Sequence, residues 1–158
     1  MNSGYPRSRG TGEVGAPPCR RPGSLGVIKA NYDPAYAVDV SEAQVLGSVA
    51  RDELARLMAH SAVTICAVRW EEPFGMVAAE AQMAGCPVAG YRRGALPEVV
   101  QEGVSGFLAA PDDVQGLATA IGDCLALDRA SVRASAQRRL GLEPALDRYE
   151  AALDAATR

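Results

Sequence analysis

The chain has 158 residues, of which 48% are hydrophobic, and a formal net charge of −3. This is the size of one domain with enough apolar side chains for a core, and the slight acidity argues against a nucleic-acid partner, which favours a basic face. No apolar run approaches the roughly 20 residues that span a bilayer, and the first residues lack the apolar stretch of a secretory signal.

The cysteines are scattered at Cys19, Cys66, Cys86 and Cys124. No two of them have the spacing of metal ligands. Cys66 and Cys86 lie in apolar runs, where a free thiol behaves as a small hydrophobic side chain. We therefore expect a reduced, cytoplasmic protein without a metal site.

Residues 1–24 differ in composition from the rest of the chain. They hold five glycines, four prolines and four arginines, and they have too little apolar surface to offset the entropy of ordering, so disorder is expected. Residues 10–15 match the glycine pattern of dinucleotide-binding loops, but no strand precedes the match and no helix follows it. We regard this match as coincidental, and the predicted folded domain comprises residues 25–158.

From residue 25 onward, short apolar runs alternate with helical periods. A helix beginning near Asp52 carries two acidic residues in its first turn, where the helix dipole favours negative charge. The continuous apolar run that follows it is typical of a strand buried on both faces. The elements expected in this half are a strand (25–30), a turn (32–34), an ambiguous stretch (35–43), a strand (44–49), the Asp52 helix and the buried strand (62–68).

The second half begins with a helix marked by Val77, Ala78, Ala81 and Ala84, and Gly85 suits its left-handed C-terminal position. After it we expect a strand (87–91), a short helix (97–101), a strand (104–109), a helix (114–125) and two further helices from residue 128, the last over 144–155. Strands alternating with helices predict an α/β fold, a Rossmann-like parallel sheet with helices on both faces.

Two glutamates, Glu72 and Glu80, stand at the junction of the 62–68 strand and the next helix, where open α/β sheets bind ligands. Over a helical path they would be roughly 12 Å apart, too far to flank one bond as the carboxylates of a retaining glycosidase do at about 5 Å. Unpaired amides of residues 74–77 would form an anion site between them. This order suits a nucleotide sugar, although spacing alone favours the alternative that both glutamates are solvated residues of a helix start.

The other candidate functional residues give little evidence of a catalytic role. His60 is the only histidine, so we interpret it as a solvent-exposed residue at a helix end. Ser105 lacks the pattern of a nucleophile elbow and is typical of a turn. Trp70 either stacks on a sugar face or caps the core beside Pro73, and the sequence leaves both interpretations open.

Four motifs follow one another in the second half. They are residues 72–75 with Glu80, residues 85–88, residues 94–100 and residues 103–108. In order and spacing they resemble the C-terminal, donor-binding domain of the retaining glycosyltransferases of the GT-B fold, family four, the group-one glycosyltransferases. The resemblance extends over about residues 25–155.

The resemblance implies a role for each matching residue. Glu72 would be the catalytic residue that contacts hydroxyls of the donor sugar, and Glu80 would hold the ribose hydroxyls. Arg92 and Arg93 are neighbours of the donor loop and are equally well interpreted as surface arginines. Glu98 either matches a frequent glutamate of that loop or only begins the short helix. The remaining donor-binding positions would be the amides of Phe74, Gly75 and Met76 at the sugar and phosphates, Val77 beside the ribose, and Gly94 and Ala95 at the sugar end.

One family feature has no match. In the family, an arginine and a lysine clamp the donor diphosphate, whereas the only lysine here, Lys29, lies in the 25–30 strand. Without such cations, oriented amides alone must neutralise the phosphates. We therefore expect an incomplete GT-B C-terminal domain, truncated before the clamp and without the acceptor domain, that has little or no transferase activity by itself.

The predicted function is the donor-binding portion of a glycosyltransferase that transfers a sugar from a nucleotide-diphosphate sugar with retention. It needs no cofactor, and its partners would be the nucleotide sugar and a separate acceptor-domain polypeptide. The alternative is a catalytically inactive remnant or sugar-nucleotide-binding module. A sugar-nucleotide epimerase of related fold is a weaker third possibility, because the glutamate spacing argues against it.

Overall fold

A computed structural model describes residues 25–28 and 43–157 and divides the chain into two units, with the boundary between Val49 and Ala50. The N-terminal segment 1–24, Lys29, the turn at 32–34 and most of the ambiguous stretch lie outside the described residues.

The first unit contains two parallel strands. Strand β1 covers Leu25–Ile28 and β2 covers Ala43–Gly47, and an irregularity in register falls between Val27 and Ile28. Both predicted strands are confirmed, and β2 ends two residues before its predicted end.

The second unit is a three-stranded parallel sheet with helices on both faces. Val88 and Ala89, neighbours in the central strand, belong to two separate apolar clusters, and successive residues of a strand point to opposite faces. The predicted α/β architecture is therefore confirmed here. In chain order the elements are α1 (Arg51–His60), β3 (Thr64–Cys66), α2 (Met76–Met83), β4 (Val88–Tyr91), α3 (Leu96–Val99), β5 (Gly106–Ala109), α4 (Val114–Cys124), α5 (Arg129–Leu140) and α6 (Leu142–Ala156), and the sheet order is β3-β4-β5.

The prediction for β3 is wrong in length and in burial. The strand has three residues instead of seven, and Ile65 is 38% exposed while Cys66 is buried. Ile65 pairs with Ala89 of β4, on the face that α4 covers. Helix α4 packs mainly over β4 and β5. It therefore leaves the Ile65 side chain of β3 partly exposed.

Arginines of helix α5 hydrogen-bond to the C-terminal ends of α1 and α3. Its Arg129 guanidinium donates to the carbonyls of Met58 and Ala59 at the end of α1, at 3.3 and 2.7 Å, where a cation suits the exposed carbonyls and the helix dipole. Arg139 does the same for Glu98 of α3 at 2.8 Å. Among the described residues, no helix is long and apolar enough to cross a membrane.

Candidate functional site

The candidate residues converge at one edge of the sheet of the second unit. Because β3, β4 and β5 are parallel, the loops that follow them (residues 67–75, 92–95 and 110–113) lie at the same edge, where α/β folds place their ligands. Glu72 lies in the first loop, and Gly94 and Ala95 lie in the second. The remaining candidates follow at the start of α2.

Glycine 75 sets the direction of α2. It precedes the helix in the left-handed conformation, with φ +66°, which an L side chain rarely adopts. Its amide donates to Oε1 of Glu72 at 3.1 Å. The prediction of unpaired amides over residues 74–77 is therefore wrong for Gly75, because Glu72 itself satisfies that donor. The amides of Met76 and Val77 belong to the first helical turn, which has no intrahelical acceptors.

The carboxylate of Glu72 is held by a second donor as well. The indole N–H of Trp70 donates to Oε2 at 3.2 Å, so each oxygen has one partner and keeps a further lone pair for a ligand. Trp70 is 61% exposed, which rules out its interpretation as a cap on the core. The carboxylate is thus oriented before any ligand arrives.

The loop after β4 lies directly against Glu72. The amide of Ala95 donates to the Glu72 carbonyl at 2.7 Å, and the amide of Gly94 donates to Oε2 of Glu71 at 2.6 Å. Gly94 has φ +53°, and a Cβ at this position would collide with the backbone N and O of Glu72. Only glycine permits this close approach of the two backbones.

Glu80 lies farther along α2, on the exposed face that also carries Met76 and Val77. Its carboxylate is 3.9 Å from Nη2 of Arg51, the first residue of α1. The helical path assumed from Glu72 to Glu80 is wrong for its first half, because the helix begins only at Met76. The region between the two carboxylates exposes large apolar side chains, with Phe74 73%, Met76 56% and Val77 53% exposed.

The arginines of this edge are all paired with carboxylates. Arg92 is half-exposed and pairs with Glu102 at 2.9 Å, so it is a surface arginine. Arg93 is only 18% exposed and pairs with Asp112 at 2.6 Å, so the surface interpretation is wrong for Arg93. Arg69 pairs with the same Asp112 at 3.7 Å.

Sequence reasoning missed two residues of this edge, Glu71 and Asp112. A usable signal existed: opposite charges follow neighbouring parallel strands, with Glu71 after β3 and Arg93 after β4. Asp112 gives the same signal, because it follows β5, the other neighbour of β4. The sequence does not predict its positive φ of 63°, the conformation in which it contacts Arg93.

The other reactive side chains have structural surroundings. Burial, together with the nearby charge of Glu72, raises the pKa of the Cys66 thiol to about 11, so this thiol stays protonated at neutral pH. His60 is exposed at the end of α1 and Ser105 lies in a turn, as expected for both. The Ser105 side chain is buried against the backbone of Gln101. The described residues contain no group of three or more His, Cys, Asp or Glu side chains that could hold a metal ion.

Comparison with known proteins shows the family of the chain. The family model "Glycosyl transferases group 1" matches residues 26–126. The D-inositol 3-phosphate glycosyltransferase of Mycobacterium marinum is 38% identical over 95 residues, which are 60% of this chain and 20% of that protein. The N-acetyl-alpha-D-glucosaminyl L-malate synthase of Bacillus anthracis is 38% identical over 77 residues, 49% of this chain and 20% of that protein.

The fold is similar to that of a solved enzyme. The crystal structure of Anabaena HepE in complex with UDP has a TM-score of 0.62 and 29% identity, and the match covers 73% of this chain and 33% of that one. The same protein has been solved with UDP-glucose. The chain thus spans about a fifth of the length of these curated relatives and a third of HepE. Because the family model covers well over half of its residues, the chain belongs to the group 1 glycosyltransferases, with the α/β fold of their GT-B members.

Proposed function

We propose that this chain is the donor-binding portion of a glycosyltransferase that takes a nucleotide-diphosphate sugar and transfers the sugar with retention. The observation that carries the proposal is the order of groups along one edge: the oriented Glu72 carboxylate, the first-turn amides of α2, and the Glu80 carboxylate. HepE, which shares the fold, has been solved with UDP and with UDP-glucose.

The sugar would bind between Glu72 and the loop after β4. Each Glu72 oxygen keeps a lone pair after its bond from Gly75 or Trp70, and a sugar hydroxyl can donate to it. Gly94 and Ala95 would form the wall of this end, because their backbone is fixed on that of Glu72. The exposed Trp70 ring would then lie beside the sugar.

The diphosphate would face the N-terminus of α2. The amides of Met76 and Val77 and the partial positive charge of the helix end attract an anion. The described arginines of this edge are engaged with carboxylates. We therefore expect weak binding of the diphosphate by the isolated chain.

The ribose would bind at Glu80. Its carboxylate lies on the exposed face of α2 next to Val77, and two ribose hydroxyls can donate to the two oxygens. The ion pair with Arg51 is long and largely exposed, and such pairs contribute little, so the hydroxyls can displace it.

The paired arginines also favour the second candidate, a sugar-nucleotide-binding module without turnover. The two candidates share the site and differ only in whether the sugar is transferred. A separate acceptor-domain polypeptide is the partner we propose for the transferring form.

Calorimetric titration of the full chain with UDP, GDP and ADP and their glucose conjugates tests the shared site. The nucleoside diphosphate that binds most tightly is then compared with its glucose conjugate. Glu80→Ala should lower the affinity for both about tenfold or more, since a hydrogen bond to a charged group is lost. Glu72→Gln should weaken the sugar conjugate and leave the nucleoside diphosphate unchanged. Glu150→Ala, an exposed glutamate of α6, is the matched control. Unchanged affinity in Glu80→Ala would exclude the ribose role, and equal losses for both ligands in Glu72→Gln would exclude the sugar role.

A further inference from the structure

Arg93 joins the three loops at the carboxyl edge of the sheet. Its Nη2 is 2.6 Å from Oδ2 of Asp112, in the loop after β5, and its Nη1 is 3.9 Å from Oε1 of Glu71, in the loop after β3. Arg93 itself follows β4, and its side chain is 18% exposed. One largely buried guanidinium therefore forms a close ion pair with Asp112 and a longer contact with Glu71, whose side chain is 75% exposed.

The Glu71 carboxylate connects this ion pair to the backbone of the site. Its second oxygen, Oε2, accepts from the Gly94 amide at 2.6 Å. The next amide, that of Ala95, donates to the Glu72 carbonyl at 2.7 Å. Holding Glu71 in place therefore holds the loop after β4 against Glu72.

Asp112 is in a backbone conformation that most non-glycine residues avoid. Among the described residues it is the only non-glycine with positive φ, at 63°, a region that L side chains seldom occupy. In this conformation its carboxylate contacts Arg93 and, at 3.7 Å, Arg69. A glycine would adopt the turn without strain, so the feature that Asp112 adds is its contact with the arginines.

Arg93 also retains an unsatisfied donor. Its Nε is buried and has no hydrogen-bond partner, which is uncommon for buried polar atoms. The side chain therefore reaches both carboxylates at the expense of one of its own hydrogen bonds. A role limited to filling space would not require that arrangement.

We propose that Arg93 is a positioning residue of the candidate site: anchored on Asp112, it holds Glu71 and so keeps Gly94 and Ala95 against Glu72. The geometry stands by itself, while the consequence for sugar binding rests on the proposed function. Loss of the network would loosen the sugar end of the site and leave the ribose end at Glu80 unchanged.

Hydrogen exchange of individual amides, measured by NMR on the full chain, tests the geometry. Asp112→Asn keeps the shape of the side chain and its tolerance of positive φ but removes the charge, and Arg93→Met removes the other partner. In both variants the Gly94 and Ala95 amides should exchange about tenfold faster, with the buried amides of β4 unchanged. The exposed neighbour variant Arg92→Met and the exposed Asp123→Asn are the controls and should leave all of these rates unchanged.

The pattern of exchange decides between positioning and general stability. Unchanged rates at Gly94 and Ala95 in Asp112→Asn would overturn the proposal, and so would an equal acceleration throughout β4. Titration then measures the consequence: affinity for UDP-glucose should fall severalfold relative to affinity for UDP in Asp112→Asn. If the wild-type chain binds none of UDP, GDP, ADP and their glucose conjugates, the proposed function fails, and the exchange rates still decide the role of Arg93.

Discussion

The carboxylate of Glu72 receives one hydrogen bond from each side of its own loop, from the Trp70 indole and from the Gly75 amide. Gly75 can turn the chain into α2 because its φ is positive, and the carboxylate then satisfies the amide exposed by that turn. The sequence predicts that Glu72 stands before a helix. It does not predict these two bonds, because they depend on loop dihedral angles that no periodicity encodes.

Gly94 offers a direct test of the contact between the two loops. We expect Gly94→Ala to lower the free energy of unfolding by about 3 kcal/mol, from the cost of positive φ plus overpacking against the Glu72 backbone. The matched control is Gly103→Ala, where φ is +72° but nothing lies within 4 Å of the added Cβ. That variant should lose only about 1 kcal/mol. Urea unfolding measures both, and equal losses would contradict the close approach at Gly94.

The helices that carry their own start signals are the ones that the sequence predicts best. Asp113 before α4 and Asp128 before α5 each accept an amide three residues ahead, and both helices begin within a residue or two of the predicted position. Strand β3 shows the opposite case. Its seven apolar residues predict burial on both faces, yet the burial of Ile65 depends on how far α4 reaches across the sheet, which is a property of the packing.

The stabilisation that Asp128 provides as the N-cap of α5 should depend on pH. Hydrogen bonds from the Ser131 hydroxyl and amide lower the pKa of the Asp128 carboxyl from its ordinary 3.8. A lowered pKa in the folded state means that the stabilisation is complete above the unfolded pKa and is lost as the pH falls through the folded value. Asn also caps helices but does not titrate, so Asp128→Asn should unfold at a lower temperature than wild type near about pH 7, and the difference should shrink towards about pH 3. Thermal unfolding followed by circular dichroism checks this, and a constant difference would contradict the assignment.

The charges at the carboxyl edge of the sheet decide how strongly the second unit would bind the diphosphate of the proposed nucleotide sugar. Three described arginines lie there, and each is paired with Asp112 or Glu102, with Asp112 shared between Arg69 and Arg93. The groups left for two phosphates are the amides and dipole of α2, which are weaker than a cation. The sequence already indicates this shortage, since its only lysine does not match the family clamp. The sequence shows that opposite charges follow β4 and its neighbours, but it does not predict that Asp112 rather than Asp113 pairs with Arg93, because that depends on the positive φ of Asp112.

We therefore expect the purified 158-residue chain to bind a sugar nucleotide weakly and to transfer no sugar. Transfer requires stabilisation of the charge that develops on the departing diphosphate. The α2 amides are the groups that face it, since the arginines that follow β3 and β4 are paired with carboxylates. Release of UDP from UDP-glucose, measured with a coupled assay over a panel of sugar and polyol acceptors, should stay at the level of the protein-free blank. Glu72→Gln is the control for contaminating activity. Release above the blank that disappears in Glu72→Gln would show that α2 and Glu72 suffice for turnover, and it would exclude the binding-module alternative.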